Sequence, residues 1–329
     1  MQTRWEIAPV DDAIVAHLQE VLGIDTVLAR LLALRGVTTY DEAYRFFRPQ
    51  WTHLHDPFLM ADMDRAVARL RRAVAGGEHI LIYGDYDVDG TTATALLFDF
   101  LHRLAPGRVH YYIPHRQHEG YGLSMAGIEY ALAEEVSLVV TVDCGIKAGE
   151  VMREGVARGL DFIVCDHHLP PAELPPAVAV LDPKRPDCRY PYDELSGCAI
   201  AFKLIQAWHQ QEGHPVEELA PCLDLVALSI AADIVPITGE NRVLAALGLA
   251  RLNEAPRPGL RMLVRHSGRG WPLRISDIVF GLAPAINAAG RLEHAELAVR
   301  LMLAADKGVA EAYARKLGVL NEQRKQLDQ

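Results

Sequence analysis

The stretch His79-Ile80-Leu81-Ile82-Tyr83-Gly84-Asp85-Tyr86-Asp87-Val88-Asp89-Gly90-Thr91-Thr92 decides the fold. It begins as an apolar run of strand length and passes through Gly90-Thr91-Thr92 into a helix-like stretch. Between the two, Asp85, Asp87 and Asp89 stand at every second position. Carboxylates crowded at one strand end repel and raise one another's pKa. A hard divalent cation is the natural remedy.

Working outward, four more short apolar runs alternate with helical stretches: Val109 to Ile113, Leu138 to Val142, Phe162 to Cys165 and Val178 to Leu181. That alternation predicts an α/β fold, a parallel sheet flanked by helices on both faces. Ligands of such sheets sit outside the carboxyl ends of the strands. Three of the runs end in polar residues: Asp85 to Asp89, Asp143, and Asp166-His167-His168. The fold is expected to bring them together at one edge. Asp233, just ahead of Pro236, falls where the helix Leu223 to Ala232 should end. Histidines beside carboxylates suit manganese or magnesium.

Two other readings of the aspartates compete. Asp85-Tyr86-Asp87-Val88-Asp89-Gly90 matches the first half of a calcium-binding EF-hand loop, but its twelfth position is Leu96 where a bidentate Glu is required. Asp87-Val88-Asp89-Gly90-Thr91 resembles the nucleophile motif of haloacid dehalogenase-like phosphatases. Those enzymes also need a later lysine and a closely spaced acidic pair, where this chain has paired histidines.

The chain has 329 residues, half of them apolar, enough for two domains or for one with an appendage. Residues 1–75 read as an N-terminal helical region, 76–253 as the catalytic core, 254–294 as a basic Arg-rich segment, and 295–329 as a connector helix. Glu254 to Gly259 is the expected linker. Five cysteines without a C-x-x-C pair speak against a disulfide framework or a zinc knuckle. No leader-like or membrane-spanning run is present, so a cytoplasmic protein without a membrane partner is expected. The net charge is -10, yet Arg251 to Arg291 carries seven arginines against two acidic residues. Taken alone, that run reads as a solvated basic face.

Tyr83 to Thr92, Val142-Asp143-Cys144-Gly145, Asp166-His167-His168 and Ala232-Asp233-Ile234-Val235-Pro236 resemble the four ordered motifs of the DHH phosphoesterase superfamily. Within it they are most similar to the RecJ family of single-strand-specific 5′ to 3′ exonucleases. Supporting strings are Ile113-Pro114-His115-Arg116, Glu119-Gly120-Tyr121-Gly122-Leu123, Leu195-Ser196-Gly197-Cys198-Ala199, Glu240-Asn241-Arg242 and Ile286-Asn287-Ala288-Ala289-Gly290-Arg291-Leu292.

The resemblance implies two divalent ions, Mn2+ or Mg2+, bridged by Asp143. One would be held further by Asp89, His167 and Asp233, the other by Asp85 and Asp87. His168 would face the scissile phosphate, or else orient a ligand. Arg116, Tyr121, Ser196 and Gly197 are candidate substrate contacts, with Asn287 and Arg291 as phosphate ligands; on this reading the basic run becomes a DNA-facing surface. The implied activity is phosphodiester hydrolysis on single-stranded DNA, releasing 5′-mononucleotides in repair and recombination. A monomer is expected, with single-strand-binding protein and a recombination helicase as partners of the full-length protein.

RecJ proteins continue beyond the long helix into a DHH-associated domain and an OB-fold. The resemblance therefore implies an N-terminal portion with weakened strand affinity. Alternatives are a nanoRNase or cyclic-dinucleotide phosphodiesterase of the same superfamily, or an inactive nucleic-acid-binding fragment. Those small-substrate relatives usually carry a histidine where this chain has Tyr83.

Overall fold

The computed structural model describes Arg4 and residues 6–327. These divide into two compact units, one ending at His53 and the other beginning at Leu54.

The first unit contains α1 (Asp12–Leu22), α2 (Thr26–Ala33) and α3 (Tyr40–Phe47), each opened by a side-chain cap: Asp11, Asp25 and Thr39. Val15, Leu18, Ala29, Leu32, Val37 and Ala43 form its small core.

The second unit begins with α4 (Met63–Gly76) and then alternates: β1 (His79–Gly84), α5 (Val88–Leu104), β2 (Val109–Tyr112), α6 (Met125–Ala133), β3 (Val136–Val142), α7 (Gly149–Ala157), β4 (Asp161–Cys165) and β5 (Ala179–Leu181). The five strands form one sheet in the order β2-β1-β3-β4-β5, and every pairing is parallel. β1, β3, β4 and β5 are buried almost end to end because helices cover both faces, while the edge strand β2 is only partly buried. On one face Leu81, Tyr83, Val139, Phe162 and Val164 pack with Ile128 of α6 and Met152 of α7. The other face carries α5 and α8 (Gly197–Gln211).

The chain continues through α9 (Leu223–Ala232), α10 (Gly239–Glu254), α11 (Pro258–Ser267), the single turn α12 (Ile275–Asp277), a π-helical turn at 278–282, α13 (Ala283–Leu292), α14 (Glu296–Leu303) and α15 (Lys307–Leu327). Glu254 to Gly259, expected as a linker, joins α10 to α11 inside this unit. It is pinned there by Arg257, whose guanidinium meets the buried Asp224 carboxylate at 3.0 Å. Arg257, mostly buried, is engaged by this carboxylate, and the basic run has one fewer arginine to offer a phosphate than its sequence indicates. Among the described residues no helix is long and apolar enough to cross a membrane. All five cysteines are free.

Candidate metal centre

The carboxyl ends of β1, β3 and β4 release the chain's unusual polar residues at one edge, as the alternating pattern requires. Beyond β1, Asp85 is buried, Asp87 caps α5 by accepting from Gly90 N–H at 3.0 Å, and Asp89 lies in the first turn of that helix. A side chain at Gly90 would collide with the Asp85 backbone, so the sharp entry of strand into helix needs glycine there.

Beyond β3, Asp143 adopts a left-handed backbone (φ 59°), and its N–H donates to Cys165 O at 2.9 Å. That conformation is costly for a residue with a Cβ, and such strain concentrates at functional sites. Asp233 is delivered as the C-cap of α9.

The side chains converge on His167. Its Nε2 lies 3.2 Å from Asp143 Oδ1, 3.6 Å from Asp233 Oδ2 and 3.8 Å from Asp89 Oδ2. Candidate ligand atoms fall into three groups, each within 4.8 Å: Asp85, Asp87 and Asp143; Asp89, His167 and Asp233; and Asp143, His167 and His168. Asp143 links the first group to the third, and His167 links the third to the second.

The electrostatics of the site suit a cation. Burial and then Asp87 push the Asp85 carboxyl up to about 7. Burial, with Asp89 and Asp87 following, raises Asp233 to about 8 and Asp143 well above the usual range. Asp87 is raised by burial and by Asp89, while burial lowers His167. Asp85 Oδ1, Asp143 Oδ1 and both ring nitrogens of His167 are buried without a hydrogen-bond partner. Buried polar atoms are rarely left so, and lone pairs left over at converging carboxylates and an imidazole are what a divalent ion takes up. The residues present therefore fit one.

Asp166 is built differently. Its Oδ1 accepts from His167 N–H at 2.8 Å, His168 N–H at 3.1 Å and His168 Nδ1 at 2.7 Å, and its Oδ2 accepts from Ile146 N–H at 2.9 Å. Although burial opposes it, these donors and the neighbouring His168 hold its carboxyl below the usual range. His168, half-exposed, is raised chiefly by this bond to Asp166, and its Nε2 lies 3.2 Å from the Tyr121 hydroxyl.

The expected substrate contacts divide. Arg116 is exposed and lies over the Tyr86 ring at 4.9 Å, beside Tyr121. Arg291 is exposed and Asn287 half-buried on α13. The close approach at Gly290 is made to the Tyr86 backbone, which ties α13 to the loop carrying the aspartates. Ser196 and Gly197 do not face a substrate. Gly197 N–H and Cys198 N–H donate to Asp89 at 2.7 and 2.8 Å, so the anion at this helix start is the protein's own carboxylate. Ser196 is fully buried and bonds the Ser229 hydroxyl at 2.6 Å, while Ser229 donates to Asp89 Oδ1 at 2.7 Å. A Cβ at Gly197 would stand 2.7 Å from Asp143 Cβ, so only glycine lets α8 approach.

Ser229 is absent from the sequence-derived site, and Asp166 figures there only within the Asp166-His167-His168 string, with no role of its own. The role of Asp166 could have been read from its place directly before the paired histidines, whereas Ser229 carries no signal inside an apolar helix.

Comparison with known proteins agrees with this construction. Residues 79–230 match the DHH family, N-terminal domain. The chain is 40% identical over 325 residues to the single-stranded-DNA-specific exonuclease RecJ of Bacillus subtilis strain 168, covering 98% of this chain and 40% of that protein. It is 36% identical to the protein of the same name from Escherichia coli K12, covering 92% and 54% respectively. The chain thus spans about half or less of the length of these relatives.

Among solved structures, an exonuclease RecJ bound to manganese superposes with a TM-score of 0.75 at 38% identity, over 82% of this chain and 67% of that one. RecJ in complex with Mn2+ from Thermus thermophilus superposes with a TM-score of 0.82 at 32% identity, over 96% and 45%. By sequence and by superposition, the chain belongs to the DHH family and, within it, to the RecJ branch.

Proposed function

We propose that this chain hydrolyses phosphodiester bonds of single-stranded DNA from the 5′ end, releasing 5′-mononucleotides, with two divalent ions, Mn2+ or Mg2+. The observation that carries the reading is the pair of ligand groups on either side of Asp143 and His167, together with the buried carboxylate and imidazole atoms that lack any partner. Asp85, Asp87 and Asp143 would hold one ion, and Asp89, Asp143, His167 and Asp233 the other. Bound there, the ions would polarise the phosphodiester and bring the pKa of a water toward neutrality.

The chain's own groups do the rest. Arg116, Asn287 and Arg291 hold strand phosphates and so fix the scissile bond over the carboxylates. His168 keeps its proton to higher pH than an ordinary imidazole because Asp166 accepts from Nδ1, which leaves Nε2 to act. As the water gives a proton to solvent and its oxygen bonds to phosphorus, the bond from phosphorus to the 3′ oxygen breaks and that oxygen takes the His168 proton. Without substrate the Tyr121 hydroxyl lies 3.2 Å from His168 Nε2, a contact that Nε2 exchanges for the leaving oxygen. Tyr83 supports this reading over the small-substrate alternative: it is fully buried and donates to Gly122 O at 2.9 Å, so it offers the site no imidazole-like ligand.

We propose that the activity serves DNA repair and recombination in the cytoplasm, a reading that the family likeness supports. The acting chain would be a monomer, and single-strand-binding protein and a helicase would be partners of a longer chain.

The test incubates wild type and Asp143→Ala with 5′-labelled single-stranded DNA, with Mn2+ or with EDTA. Mononucleotide release by the wild type with Mn2+ alone supports the reading. Equal release by the variant, or release that survives EDTA, overturns it; faster cleavage of dinucleotides than of long strands would move the assignment to the small-substrate relatives.

A further inference from the structure

A cavity of about 500 Å³ opens beside the metal centre, between the loop from Gly145 to Ala148 and the segment from Pro171 to Leu174. It shares His168 and Tyr121 with the centre, so it is continuous with the place where the scissile phosphate would lie. Its volume is in the range of small-molecule sites. Neither the ligand groups nor the exposed arginines Arg116 and Arg291 account for it.

The lining decides what it can take. Leu123 and Ile146 are buried and, with the partly buried Leu174, give it apolar walls. The charged residues are exposed and balanced: Lys147 and Arg153 against Glu150 and Glu173. The oxygens of Asp166, which also borders the cavity, already receive hydrogen bonds. A balanced rim has no net positive field to draw a second phosphate. What it matches is a neutral group with apolar faces and an edge bearing both donors and acceptors, within reach of an aromatic ring.

Resting on the function proposed above, we propose that this cavity is a nucleobase subsite. It would receive the base of a nucleotide flanking the scissile phosphate while that phosphate lies at the carboxylates. Base contacts on an apolar and aromatic surface favour unstacked bases and tolerate any sequence, so the subsite would favour single strands.

The test is a binding measurement that needs no turnover. Thymidine 5′-monophosphate and its baseless counterpart, 2-deoxyribose 5-phosphate, are titrated into the chain in Mn2+ by calorimetry. The base should improve affinity by about tenfold or more. Gly149→Phe then fills the cavity: Gly149 has an ordinary backbone, and an added Cβ meets only the end of Arg153 at 3.7 Å and Pro175 Cα at 4.0 Å. This variant should bind the nucleotide no better than the sugar phosphate, with sugar phosphate affinity unchanged. Leu174→Ala is a second variant, which removes a wall without filling the space and should also reduce the base's advantage.

Equal wild-type affinities, no measurable nucleotide binding, or a base preference that survives in folded Gly149→Phe and Leu174→Ala would each overturn the subsite. Failure of strand hydrolysis in the separate activity assay would instead count against the proposed function.

Discussion

Asp89 receives hydrogen bonds from Gly197 N–H, Cys198 N–H and the Ser229 hydroxyl, so the direction of its carboxylate is set before any ion arrives. Groups of this kind tune metal affinity, typically by 10- to 100-fold. Ser229→Ala should weaken Mn2+ binding by about tenfold or more in a calorimetric titration; unchanged affinity would mean that the hydroxyl merely fills space.

The same scale sets a pH dependence. In the metal-free chain Asp85 and Asp233 have folded pKa values near 7 and 8, above the ordinary 3.8, and Asp143 is also raised. The folded state therefore binds protons that the unfolded state has released. Stability from these groups is fully present below about pH 4 and is lost as pH rises through 7 to 8. Melting curves of the metal-free chain should shift to lower temperature between pH 5 and 8, and saturating Mn2+ should remove most of that slope. A flat metal-free profile would contradict the burial of unpaired carboxylates.

At the scale of elements, the site is made by helix ends and strand ends that meet. Gly197 lets α8 touch Asp143, and the fully buried Lys203 of the same helix pairs with Glu240 of α10 at 2.9 Å, bridging to His55 O and Gln206. Losing one partner of a buried pair leaves the other charge stranded, at a cost of about 3–5 kcal/mol. Lys203→Met should lose about that much in urea unfolding, and Lys203→Met with Glu240→Gln should recover part of it. A single variant as stable as wild type would show that the pair contributes nothing.

These helix and strand ends also show what the sequence could reveal. The five parallel strands, the helix Leu223 to Ala232 and the convergence of Asp85, Asp143 and His167 followed from periodicity and from where polar residues interrupt it, whereas Asp233 joined the set only through the family resemblance. The role of Ser196-Gly197 did not. A helix start announces that it can hold an anion, but the anion that arrives is Asp89, 108 residues earlier in the chain. Arg257 misled for the same reason: its partner Asp224 lies 33 residues away, and a charge run does not say which of its members turn inward.

At the scale of the whole molecule, the proposed function requires a net charge of -10 to coexist with affinity for a polyanion. Attraction would then be local, carried by few phosphate contacts, and correspondingly sensitive to salt. Arg116→Ala and Arg291→Ala should each weaken binding of single-stranded DNA and reduce the slope of log affinity against log salt by roughly 0.7. An unchanged slope in both would remove these arginines from the strand's path.

The central claim is that Asp85, Asp87, Asp89, Asp143, His167 and Asp233, delivered by strand ends and helix ends, form one centre for two ions around Asp143. The most direct measurement is a titration of the metal-free chain with Mn2+, followed by electron paramagnetic resonance and calorimetry, in wild type and Asp143→Ala. The account predicts two bound ions per wild-type chain with spin coupling between them, and loss of that coupling with weakened binding of both ions in the variant. A single uncoupled ion in the wild type, or two ions bound as tightly after Asp143 is removed, would contradict it.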